Sequence, residues 1–252
     1  MTNRDTPRRP NRRRAATAAS VLLASLIALT LLLFPGATTA RDPLWDDLPW
    51  PERVGPDWFR INAARGDAEA QYRLALMHER GVEVARNLET AAKWYRRAAN
   101  QGHARAQFKL ASYYRQGRLG DVDLTQAKRW YAKAARQGLG RAQYNLGVLV
   151  ERGIDSAPDP ARAAELYRKA AAQGVAAAHM SLGLLYAAGD GVESDPVTAL
   201  AHLIRAAEAD VPGAGQARRQ VARDLGQAER KAAADRAADL APGAPQPSRV
   251  GD

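Results

Sequence analysis

Between residues 67 and 210, apolar and polar positions recur on two nested periods. The short period is helical: Ala70, Leu74 and His78 fall at i, i+4 and i+8 and share one face. The long period is 36 residues, set by Gly66, Gly102, Gly138 and Gly174 and again by Gly81, Gly117, Gly153 and Gly189. Ala70, Ala106, Ala142 and Ala178 keep the same interval, as do Leu74, Leu110, Leu146 and Leu182. Ala91, Ala127, Ala163 and Ala199 follow in each unit, and paired alanines such as Ala98-Ala99 and Ala134-Ala135 complete it. So many aligned columns mark an internal repeat.

Each unit reads as two helices. The first runs over about 68–79 and ends at Gly81, because glycine adopts the left-handed conformation that closes a helix. A short loop leads to Asn87, Asp123, Asp159 or Asp195, whose side-chain oxygens suit the free amides of a helix start. Pro160 and Pro196 follow two of these caps at the first helical position, where proline is tolerated. The second helix carries Ala91, Trp94, Tyr95, Ala98 and Ala99 and stops at Gly102. Ala75, Ala111, Gly147 and Gly183 are small enough for close helix approach, while Tyr72, Phe108, Tyr144, Tyr95, Tyr131 and Tyr167 fill wider gaps. One hairpin cannot bury its apolar face, whereas stacked hairpins share a continuous core.

These residues resemble the Sel1-like repeat, a relative of the tetratricopeptide repeat. The likeness is carried by Ala142-Gln143-Tyr144-Asn145-Leu146-Gly147-Val148-Leu149, by Gly189-Asp190-Gly191-Val192 and by Ala92-Lys93-Trp94-Tyr95-Arg96-Arg97-Ala98-Ala99. The resemblance covers about 55–211 and implies an all-α fold, an α/α superhelical solenoid that serves as an interaction scaffold and shares no active site. Arg118–Val122 and Ile154–Pro158 depart from the usual glycine-valine loop.

The ends differ from the units between them. A leader occupies 1–40, and a Trp/Pro-rich segment with Trp45 and Trp50 occupies 41–54. The solenoid at 55–211 opens with a half repeat at 55–66, with Trp58 in the Trp94 and Trp130 column. Four repeats follow at about 67–102, 103–138, 139–174 and 175–210. Capping helices are expected at 212–240, on an apolar stripe of Ala217, Val221 and Leu225, and 241–252 reads as a disordered tail with three prolines. Trp45, Trp50 and Trp58 leave two readings open, an exposed docking arm or a cover for the first hairpin.

In the leader, Arg8, Arg9, Arg12, Arg13 and Arg14 precede an apolar run over 15–34, a break at Pro35-Gly36 and small residues up to Ala40. That order is a secretory signal peptide cleaved after Ala40. The run is also long enough to stay as a membrane anchor, and either way the body lies outside the cytoplasm. The expected location is therefore the periplasm, in soluble form or anchored to the inner membrane. No motif downstream of the paired arginines supports twin-arginine export.

Composition narrows the function. Of a net charge of +10, the leader's six Arg and one Asp account for +5, and no Lys/Arg block recurs, so nucleic acid is not expected as a partner. Apolar residues make up 46% with aromatics at 6%, an alanine-rich balance that favours close-packed helices. The absence of cysteine removes disulfides, thiolate metal sites, a cysteine nucleophile and a lipoprotein anchor. His78 stands where Tyr114 and Tyr186 stand in other units and reads as a core residue; His103, His179 and His202 lie in different columns without metal-binding spacing. No phosphate loop or Gly-x-Ser-x-Gly occurs. The expectation is a non-enzymatic protein with no catalytic, cofactor or metal residues.

A partner surface is the remaining chemistry. By the resemblance, first helices line the concave side, where Arg73, Arg80, Arg105, Lys109, Arg141 and Arg152 build a basic ladder that Ala177, Ser181 and Ala188 interrupt. Such a ladder suits an acidic peptide or protein, since guanidinium groups pair with carboxylates. The bland reading is a solvated charged face in a chain with 31 Arg, diluted by Glu69, Glu79 and Glu151. The expected function is an interaction scaffold or adaptor outside the cytoplasm. The alternative is a membrane-tethered part of an envelope complex, with membrane contact only if the leader is retained.

Overall fold

The computed structural model describes residues 55–240. The chain divides after Glu52, and the described residues fall in the second unit, Arg53–Asp252. The leader, the segment at 41–54 and the tail at 241–252 lie outside the described residues.

Among the described residues there are eleven α-helices and no strand. Helix α1 is Pro56–Ala64. Four hairpins follow, α2 (Ala68–Arg80) with α3 (Leu88–Asn100), α4 (Ala104–Arg115) with α5 (Leu124–Arg136), α6 (Gly140–Glu151) with α7 (Pro160–Ala171), and α8 (Ala176–Ala188) with α9 (Pro196–Glu208). Helices α10 (Ala214–Arg223) and α11 (Gln227–Asp239) end the described chain. Consecutive helices pack on one another through the four hairpins, and both α10 and α11 pack on α9.

The helix starts and stops obey the local chemistry. Asn87, Asp123, Asp159 and Asp195 each cap a second helix, their side chains accepting from the amides of Thr90, Gln126, Arg162 and Thr198. Every hairpin loop closes with the same bond, from the cap residue's own amide to a carbonyl nine residues earlier: Asn87 to His78 at 2.8 Å, Asp123 to Tyr114 at 3.0 Å, Asp159 to Val150 at 3.2 Å and Asp195 to Tyr186 at 3.1 Å. The atypical loops at 118–122 and 154–158 therefore differ in local path and keep the same closure. Second helices end in a six-to-one bond such as His103 to Ala98, which needs a left-handed residue at Gly102. In the fourth unit Asp210 takes that conformation with φ 52°, which costs a non-glycine residue strain.

Packing follows the small and large columns. Tyr95, Tyr131 and Tyr167 are fully buried, each tilted against the aromatic of its own first helix: Tyr72 at 5.9 Å, Phe108 at 5.5 Å and Tyr144 at 5.6 Å. Leu74, Leu110, Leu146 and Leu182 are all buried, each contributing roughly 1.5–3 kcal/mol by leaving water. A Cβ on Gly147 would lie 2.7 Å from the Tyr167 ring, and one on Gly183 would lie 2.6 Å from Leu203. These glycines permit the close approach of first and second helices that the columns predict.

The two ends are closed by partial units. Phe59 and Ala63 of α1 pack with Ala70, Leu74 and Met77, placing Phe59 in the column of Tyr95. Trp58 remains 48% exposed. At the other end Leu225 and Ala233 cover Leu200, with Val197, Ile204 and Val221 beside them. Arg236 ties α11 to the cap of α9 through Asp195, at 3.1 Å. His78, read as a core residue, is only half-buried; its Nδ1 lies 3.4 Å from the Ala85 carbonyl of the adjoining loop.

Candidate protein-binding face

With the leucine column turned inward, four columns of the first helices and their C-terminal ends are half-buried or exposed in every unit. One holds Glu69, Arg105, Arg141 and Ala177 in successive units, and the next holds Arg73, Lys109, Asn145 and Ser181. A third holds Glu79, Arg115, Glu151 and Ala187, and the fourth Arg80, Gln116, Arg152 and Ala188. The six cations expected to form a ladder thus occupy three columns, two apiece.

Register along this face is set by buried glutamines. Gln71, Gln107 and Gln143 each donate to the carbonyl of an alanine ending the preceding second helix, at 3.0, 3.1 and 3.3 Å. Each also accepts from a glutamine at the end of its own hairpin, Gln101, Gln137 or Gln173, at 2.7–2.9 Å. A buried amide without partners costs about 1–3 kcal/mol, so a slipped unit is penalised at every junction.

The basic ladder is neutralised at its N-terminal end. Glu69 receives Arg73 at 2.5 Å and His103 at 2.9 Å. His103 uses Nδ1 to accept the Ala106 amide, which leaves Nε2 as the donor to Glu69. That hydrogen bond, with Arg73, outweighs burial and holds the Glu69 carboxyl down at about 2. Glu79 accepts from the Tyr95 hydroxyl at 2.6 Å, from Lys109 at 2.9 Å and from Arg118 at 3.2 Å. Burial alone would raise the Glu79 pKa, but these donors overcome it and hold it below the usual range. Arg73 and Lys109 are therefore engaged within the chain. Arg105 and Arg141 are half-buried at equivalent positions, and Arg80 and Arg152 are exposed.

The third unit reverses the electrostatics. Glu151 accepts from Tyr167 at 2.5 Å, as Glu79 does from Tyr95, yet its pKa is raised by burial and by Asp190. In the fourth unit a second feature departs from the repeat. His179 stands in the column of the buried glutamines, while Ala209 replaces the glutamine that would bond it. His179 bonds His202 instead, Nδ1 to Nδ1 at 2.9 Å, and the Tyr186 ring stacks on His202 at 5.8 Å. The two histidines lie in different columns, so the repeat alignment gives no cue to the pair; the missing glutamine at 209 is the only signal of it. Among the described residues no group of three or more His, Cys, Asp or Glu is placed to hold a metal.

Stacked hairpins whose polar side chains bond from unit to unit define a helical-repeat scaffold, a non-catalytic fold class. Sel1 repeats match at 68–103, 104–139, 140–175 and 176–211, more than half the chain, and the protein belongs to the Sel1 repeat family. A Sel1 repeat protein of Oxalobacter formigenes is similar in structure, with TM-score 0.60 and 28% identity over 72% of this chain and 75% of that one. So is c5321, a protective antigen of uropathogenic Escherichia coli, with TM-score 0.52 and 28% identity over 73% of this chain. The chain spans about half of that protein, 48% of its length. No curated protein matches it. Sel1 repeats generally mediate protein–protein interaction.

Proposed function

We propose that this protein is a non-enzymatic interaction scaffold outside the cytoplasm, taking a peptide or protein on its first-helix face. The observation that carries this reading is the register of that face. Three first helices repeat their polar positions at 36 residues, and the buried glutamines hold them in fixed alignment. Arg105 and Arg141 are the cations through which an acidic partner segment engages the middle of the face. Location outside the cytoplasm is supported by the arginine-rich start, the apolar run and the small residues ending at Ala40.

A photoreactive residue placed at Asn145 should crosslink the partner in the cell envelope, while one at Lys133 on a second helix should not. Arg105→Glu with Arg141→Glu should abolish the crosslink without changing helicity. Binding should also weaken as salt shortens the screening length from about 10 Å at 0.1 M to about 3 Å at 1 M. Crosslinks confined to position 133, or a partner retained by the double reversal, would move the site elsewhere. A second reading, retention on the membrane, is favoured by the length of the apolar run at 15–34. Intact mass separates the two: a chain beginning at Arg41 is the soluble form, and a full-length membrane-bound chain is the tethered one.

A further inference from the structure

Two carboxylates at equivalent positions, Glu79 and Glu151, stand 72 residues apart in unlike surroundings. Each accepts from the buried tyrosine of its own hairpin, Tyr95 at 2.6 Å or Tyr167 at 2.5 Å. At Glu79 the rest of the site is filled from the next unit, by the Lys109 ammonium at 2.9 Å and the Arg118 guanidinium at 3.2 Å. The positions equivalent to Lys109 and Arg118 beside Glu151 hold Ser181 and Asp190. The third unit thus keeps the carboxylate and its tyrosine, while the fourth unit presents a hydroxyl and a second acid in place of both cations.

We propose that Glu151 receives a lysine side chain of the bound partner, which takes the place that Lys109 fills at Glu79. The inference rests on the scaffold reading and names one feature its partner must carry. The molecule itself supplies the precedent for the occupant, because the same residue type in the same fold position already holds an ammonium group. An anionic occupant is disfavoured, since it would face two carboxylates. Arg152, the exposed residue that caps the end of this helix, attracts the carboxylate, but burial and Asp190 outweigh it and leave the Glu151 pKa raised. A carboxylate in such a place binds a cation more firmly than one in open water, since a lower effective dielectric strengthens the attraction.

The test uses protein purified from the cell envelope, carrying 13C at its glutamate side-chain carboxyls. It is titrated with acetyl-Ala-Lys-Ala-amide and with the same peptide bearing norleucine. The lysine peptide should give a saturable shift at Glu151 and none at Glu79, and the norleucine peptide should leave both unmoved. Glu151→Gln, close in shape and still able to accept from Tyr167, should weaken binding at least tenfold. Ser181→Lys supplies the missing cation from within the chain, and should lower the Glu151 pKa while weakening the peptide to the same degree. No saturable shift, an equal response to norleucine, or affinity unchanged in both variants would overturn the proposal. Crosslinking from Asn145 with no response at Glu151 removes the lysine site alone. Loss of all crosslinking from the first helices removes the scaffold reading.

Discussion

Acidification should destabilise this protein through the His179–His202 pair before most of its carboxylates are protonated. The rings are 5% and 6% exposed, and their Nδ1 atoms share one proton across 2.9 Å. A second proton would set two N–H groups against each other. Among the described residues no counterion relieves it: the charged groups acting on the pair are Arg205 at His179, and Arg168 and Arg236 at His202. Burial first, and then these cations, lower the pKa to about 4 for His179; burial, its neighbour and the cations bring His202 to about 3. Unfolded histidine titrates near 6.5, so below that pH the unfolded chain binds more protons and stability falls until the folded values are reached. At about 1.4 kcal/mol per pKa unit, the loss by pH 5 is roughly 2 kcal/mol per histidine. Urea unfolding followed by circular dichroism at pH 7 and pH 5 measures it. The reference variant is His179→Gln with His202→Leu, the residue types found at Gln143 and Leu166. That variant should keep most of its stability at pH 5; an equal loss in both proteins would refute the assignment.

Leu146→Ala should cost roughly 2–5 kcal/mol in denaturant unfolding, from lost burial and the cavity left behind; a loss below about half a kcal/mol would mean that the leucine column is not core. Asp123→Ala should cost about 1 kcal/mol by the same measurement, since its carboxylate accepts the Gln126 amide at 2.8 Å. Gly147→Ala sets helix propensity, worth about 1 kcal/mol in favour of alanine, against a Cβ lying 2.7 Å from the Tyr167 ring. Crowding should win by roughly 1–3 kcal/mol, and a raised melting temperature would show that the tyrosine moves aside without cost.

The repeat was legible because its signals are local and recur. Cap residues such as Asp123 and Asp159, terminating glycines such as Gly81 and the buried leucine column each report on a few neighbours, and repetition multiplies each report by four. The face was less legible. Arg73 and Lys109 were visible as cations in one column, but their carboxylates come from another column, and in the case of Lys109 from another unit. Glu69 and Arg73 pair at i,i+4 within one helix, but which acid meets Lys109 depends on the rotation between stacked hairpins, and a single helix does not encode that. The histidine pair escaped for a related reason. His179 and His202 are 23 residues apart in different columns, and only the hairpin packing sets their rings side by side.

The three junctions between units share one backbone plan and differ in chemistry. Arg96 reaches the Tyr114 hydroxyl at 3.3 Å, and Arg168 reaches Tyr186 at 3.1 Å, whereas Ala132 and Val150 hold the same positions at the middle junction. There Lys128 crosses instead to the loop of the third unit, binding the Ile154 carbonyl and the Ser156 hydroxyl. An internal repeat invites a partner to bind in several registers, each displaced by one unit. This chain removes that ambiguity. A partner lysine displaced by one unit toward the N-terminus from Glu151 would meet Arg115, a like charge; displaced by two, it would meet Glu79, where Lys109 and Arg118 already sit. Displaced by one unit in the other direction, it would meet Ala187, which offers no charge. One register satisfies the proposed lysine, so the same fold repeated four times would hold such a partner in one position.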